Sequence, residues 1–119
     1  MEDVKFNFEE LRVYDKALDF IDKIYKITRN FSTDEKFRLT SQFIRAASSI
    51  ALNIAEGAGD TNPKFNRFLN ISQGSIKECI VCSSIALRQN FITVEENKFL
   101  RSELSSMAKM ITNLQKTLK

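Results

Sequence analysis

The chain contains no histidine and no tryptophan, and only one proline, three glycines and two cysteines in 119 residues. Each scarcity excludes something. Without histidine there is no commonest general base, no commonest metal ligand and no Glu-x-x-His signature of a di-iron bundle. So little glycine and proline argues against a β-rich fold cut by many turns, and for long helices on short connectors. No window approaches the ~18 apolar residues of a membrane span. The start, Met1-Glu2-Asp3, has no basic segment and no apolar run, so no secretory signal and a cytoplasmic location are expected. Cys79 and Cys82 form a lone C-x-x-C with no second pair. It reads as two small buried thiols on a helix, not as a redox or zinc site.

The other parts of an active site are missing too. No Gly-rich phosphate loop occurs. Ser48, Ser49 and Ser75 have no evident activating base. Glu56 and Glu78 are the remaining carboxylate pair that acid–base chemistry could use. The expectation is a protein that is not an enzyme, with no cofactor and no metal.

What is present is ordinary for a soluble globular domain: 43% hydrophobic and 28% charged residues. Residues 1–119 form a single domain, with residues 1–8 as an N-terminal arm. Net charge is +3, which permits a nucleic-acid partner without demanding one.

Apolar periodicity predicts four helices. The first runs from about Glu9 to Arg29. One stripe is Leu11, Tyr14, Leu18, Ile21 and Tyr25; a second is Val13, Ala17, Phe20, Ile24 and Ile27. Asp19–Lys23 and Asp22–Lys26 are spaced as helical ion pairs. Ser32 and Glu35 read as a capping box opening a second helix, Thr33 to Glu56, with Gly57 as its stop. The third helix starts at Asn62-Pro63 and runs to Gln89, with Phe65, Phe68, Leu69, Ser72, Ile76, Cys79, Ile80 and Leu87 inward. Thr93 and Glu96 cap the fourth, Val94 to Leu118. Its seam of Leu100, Leu104, Met107, Ile111, Leu114 and Leu118 is the cleanest periodicity in the chain. The fold class is all-α: an antiparallel up-down-up-down four-helix bundle.

Two segments lack the charged outer face of a surface helix: Ala46–Ala55 and Cys79–Leu87. Both are expected to be covered on more than one side, by the domain itself and by another subunit. Gly74, inside the third helix, would allow another backbone to approach closely.

Two polar stripes accompany the apolar ones. On the second helix Gln42, Arg45, Ser49, Asn53 and Glu56 recur at helical spacing, and the third offers Ser75 and Glu78. They read as an internal network with Arg45 paired to Glu56 or Glu78; the competing reading is a polar binding site. On the fourth helix Lys98, Arg101, Lys109 and Lys116 share the face opposite the seam, and no acid interrupts them. That stripe is the candidate contact for the phosphates of RNA or DNA; the competing reading is a solvated helix face.

The segments LRVYDKAL (Leu11–Leu18), LTSQFIRAASSIALNIAEG (Leu39–Gly57) and FNRFLNISQGSIKE (Phe65–Glu78) resemble the 23S rRNA-intervening sequence proteins, the bacterial "four helix bundle protein" family. The resemblance covers most of the chain, in order and with matching spacing. It implies an antiparallel four-helix bundle in a ring-like homo-oligomer, with a pentamer as the expected count. It also implies kinship with the accessory protein of diversity-generating retroelements, a basic pentamer that engages nucleic acid and a reverse transcriptase. Gln42, Arg45, Ser49, Asn53, Glu56, Gly57, Gly74, Ser75 and Glu78 match the family motif, and none is implied to be catalytic. The expected partners are a second copy of the chain, RNA or DNA, and alternatively another protein in a scaffold role; no membrane partner is expected.

Overall fold

The computed structural model describes residues 3–34 and 38–119. Among them there are four α-helices and no strand: α1 (Arg12–Thr28), α2 (Leu39–Gly57), α3 (Asn62–Arg88) and α4 (Val94–Lys116). Consecutive helices pack side by side and α4 closes against α1, which is a four-helix bundle. The α1 stripe Val13, Ala17, Phe20, Ile24 and Ile27 is fully inside. It meets Phe43, Ala47, Ile50 and Ile54 of α2, Leu69, Ile76 and Cys79 of α3, and Leu100, Leu104, Met107 and Ile111 of α4.

The helix ends follow local chemistry, with corrections. The first helix does not start at Glu9. Residues Asn7–Glu10 form a 3₁₀ turn, the Glu9 carboxylate accepts the Phe6 N–H at 2.8 Å, and extended Leu11 (ψ 122°) separates the turn from α1. Thr33 and Asp34 are in a 3₁₀ turn and α2 opens at Leu39; Glu35, half of the expected capping box, lies outside the described residues. The box at α4 is present: Thr93 Oγ1 accepts the Glu96 N–H at 3.0 Å, and the Glu96 carboxylate accepts the Thr93 N–H at 2.8 Å.

α2 ends at Gly57, as the sequence suggested, but not through a left-handed glycine at that position. Gly57 is helical and buried, and a Cβ there would lie 2.8 Å from Phe68 Cβ and 2.9 Å from the Phe65 ring. The missing side chain is what lets α3 turn back so tightly onto α2. The left-handed residue of that turn is Gly59, at φ 88°.

Across the α3–α4 boundary, amides lock the register. Gln73 Nε2 donates to Ala108 O at 3.0 Å and to Thr112 Oγ1 at 3.2 Å, and Gln115 Nε2 donates to Asn66 and Asn70 at 3.0 and 2.7 Å. Later α4 residues meet earlier α3 residues, so the two run antiparallel. The charge pairing on α1 differs from expectation. Among the described residues neither Asp19–Lys23 nor Asp22–Lys26 closes. Instead Lys16 bridges to Glu103 of α4 at 3.1 Å, and Lys23 sits over the Phe99 ring, 5.1 Å from its centre. For Lys23 the Phe99 face replaces Asp19, and an exposed i, i+4 pair would contribute only ~0.3 kcal/mol.

Candidate nucleic-acid interface and the polar face of α2 and α3

A helix that buries Leu100, Leu104, Met107 and Ile111 must turn its opposite face outward. On α4 that face carries Lys98, Arg101, Lys109 and Lys116, all exposed. From Lys98 to Lys116 the stripe runs for about 27 Å. Glu103, the acid in the middle of α4, is turned aside and held by Lys16 of α1. Lys98 and Arg101 also border a groove of about 600 Å³ between α3 and α4, floored by Ile76, Ile80, Leu104 and Ala108. The stripe therefore presents fixed positive charge with Ser105 and Thr112 between the cations, while Phe99, next to Lys98 in the chain, is taken by Lys23 of α1. Such a surface can contact a phosphate backbone but offers no ring for base stacking.

The second polar stripe is split by depth. Ser49, Asn53 and Ser75 form a hydrogen-bonded cluster between α2 and α3. Ser75 Oγ lies 2.8 Å from Ser49 Oγ, and Asn53 Nδ2 donates to Ser49 O at 2.8 Å and to Ser49 Oγ at 2.9 Å. Beside it, Ser72 Oγ donates to Ile50 O at 3.0 Å. The other members, Gln42, Arg45, Glu56 and Glu78, are exposed. Among the described residues Arg45 forms no ion pair with Glu56 or Glu78, which corrects the expected internal network. Helical spacing placed these residues on one face but could not say how far that face lies from the core. Arg45 and Glu78 instead border an open groove of about 510 Å³ with Arg38, Ser41, Gln42 and Ser49. Glu56 is about 16 Å along α2 from Arg45, out of reach within one copy.

The uncharged segments are covered by their own domain on one side only: Ala47, Ile50, Ile54, Cys79 and Ala86 are buried, but Leu52 is 67% exposed, Val81 56% and Ile85 42%, with Ile71 of α3 46% exposed nearby. Gly74 is exposed as well, with nothing within 4 Å of where its Cβ would stand.

The cysteines are buried free thiols. Burial, the neighbouring Cys82 and the Glu78 charge push the Cys79 thiol far above its ordinary range. Burial, then Glu78, push Cys82 up to about 11. Both favour the neutral thiol, the opposite of what a nucleophile or metal ligand requires. No group of three or more metal-ligating side chains occurs among the described residues. Among the described residues no helix is long and apolar enough to cross a membrane.

Residues 9–113 match the family described as 23S rRNA-intervening sequence protein. The chain belongs to that family. A solved relative supports the fold: the 1.70 Å crystal structure of a protein with unknown function from the S23 ribosomal protein family of Bacteroides thetaiotaomicron VPI-5482. It superposes with a TM-score of 0.80 at 24% identity, over 87% of this chain and 95% of that one. No curated protein matches the sequence. For this member of the 23S rRNA-intervening sequence family, the motif residues Ser49 and Ser75 join α2 to α3 and Asn53 braces Ser49 within α2, whereas Arg45, Glu56 and Glu78 look outward. Sequence reasoning missed Ser83, whose buried Oγ lies 2.8 Å from Asn97 Oδ1 and joins α3 to the start of α4. Its position within an apolar run was the available signal.

Proposed function

We propose that this protein is a non-enzymatic, cytoplasmic homo-oligomer, ring-like and pentameric, that binds RNA or DNA through the outer face of α4. The observation that carries the nucleic-acid reading is the exposed, acid-free stripe Lys98, Arg101, Lys109 and Lys116. One copy carries only +3, but assembly repeats the stripe on every subunit, and tethered weak contacts add up. The assembly reading rests on the exposed apolar side chains of α2 and α3, Leu52, Ile71, Val81 and Ile85. The ring and its five subunits are what the family resemblance implies.

The test is fluorescence anisotropy of a labelled structured RNA and a DNA duplex, titrated at low and physiological salt. Micromolar binding that weakens steeply with salt is expected. Replacing Lys98, Arg101, Lys109 and Lys116 by Glu should abolish it with helicity unchanged; unaltered affinity in that variant would refute the stripe. A second reading, a protein-interaction scaffold with no nucleic-acid contact, is favoured by the apolar floor of the α3–α4 groove. It predicts no nucleic-acid binding even at low salt and a stoichiometric protein partner whose recovery survives nuclease.

A further inference from the structure

The outward side chains of α2 and α3 carry more than apolar surface; they carry matching charges at matching heights. The Ser49–Ser75 contact and the Ser72 bond to Ile50 fix the antiparallel register of the two helices. In that register Arg45 stands level with Glu78, Leu52 with Ile71, and Glu56 with Arg67. Ser49 stands level with Gly74. Arg45, Glu56, Arg67 and Glu78 are all exposed, and none makes an ion pair among the described residues. Arg45 and Glu56 are about three turns apart on α2, and Glu78 and Arg67 about three turns apart on α3, running the other way.

We propose that the outer face of α2 on one copy docks against the outer face of α3 on the next. Arg45 then meets Glu78 of the next copy, and Glu56 meets Arg67 of the next copy. This rests on the homo-oligomer reading above and names its interface. The argument is one of symmetry. Rotation about an axis parallel to the helices leaves every residue at its own height, so a head-to-tail ring brings together residues that are level within one copy. At the centre of this seam the level pairs are complementary: cation with anion, Leu52 with Ile71, anion with cation. The small residues sit between them. With no side chain at Gly74 and only a hydroxyl at Ser49, the two backbones can approach closely at the middle of the contact. The exposed Leu52, Ile71, Val81 and Ile85 would lose water there, which supplies the driving force, while the two ion pairs set height and direction. Arg45, Ser49 and Glu78 border one groove of the single copy, so the two faces are contiguous, and a two-fold axis parallel to the helices keeps the same residues level as a larger ring does.

The test measures assembly by native mass spectrometry and sedimentation, with circular dichroism as the folding control. Gly74→Phe places a ring where the single copy has open space, so it should fold normally and remain monomeric. Arg45→Glu and Glu78→Arg should each raise the dissociation constant at least about tenfold by setting like charges face to face. The double variant Arg45→Glu/Glu78→Arg should restore assembly. Full assembly by Gly74→Phe and by both single reversals would overturn this interface while leaving the oligomer standing. A double variant no better than the singles would overturn the Arg45–Glu78 pairing. A wild-type chain that stays monomeric at every concentration would overturn both the interface and the oligomer.

Discussion

At Gly57 one hydrogen atom decides how two helices meet. With Phe68 Cβ only 2.8 Å and the Phe65 backbone 3.2 Å from a would-be Cβ, the neighbours include backbone that cannot swing away. Gly57→Ala should therefore destabilise the fold by about 1–3 kcal/mol despite the better helix propensity of alanine, a cost of overpacking. Urea denaturation checks it; a neutral or stabilising result would mean that α3 shifts freely. Gly74 is the opposite case, a helical glycine in open space. Gly74→Ala should leave the single copy as stable or make it more stable, by up to about 1 kcal/mol. The sequence shows two glycines in helical surroundings, and nothing in their neighbours tells which one is pressed by a ring.

At the scale of the element, periodicity was a sound guide to which face of each helix is buried. All five residues of the inner α1 stripe are in the core, while Leu18 and Tyr25 of the other stripe are 39% and 48% exposed. The α4 seam is buried from Leu100 to Ile111 and only partly buried at Leu114 and at Leu118, which lies just beyond the helix. The candidate basic stripe was legible for the same reason, since a helix with a buried seam has only one opposite side. Arg45 was not, because spacing gives an angle about the helix axis and no depth. Caps behave as local devices: Thr93→Ala removes the acceptor for the Glu96 N–H and should cost about 1 kcal/mol, read as a lower melting temperature with the α4 spectrum otherwise intact.

For the whole molecule, the interior thiols report global opening. Cys82 is held up to about 11 and Cys79 higher, against an ordinary thiol value of 9.0. Because the unfolded chain ionises first, it binds fewer protons than the folded one between these values. Stability contributed by the neutral thiols is therefore full below pH 9 and falls as pH rises toward 11. Chemical denaturation from pH 8 to 10.5 should show this decline, and a Cys79→Ala/Cys82→Ala variant should show a shallower one. At pH 8 a thiol reagent should label the native protein only at the rate of unfolding, and both cysteines at once in denaturant. Rapid native labelling would mean that α3 opens locally.

The sequence by itself determined the helices, their inward faces, the shared outer side of the four α4 cations and the poverty of catalytic parts. All of these follow from residue type and a 3.6-residue period, which act locally. Tertiary structure alone decided depth and level: that Lys16 turns to Glu103, that Gly57 is crowded and Gly74 is free, and that Arg45 stands out in solvent level with Glu78. Depth and level depend on how far apart helices pack and on the register in which they slide past one another. Contacts such as Ser49–Ser75 and Gln73–Ala108, between residues far apart in the chain, fix both.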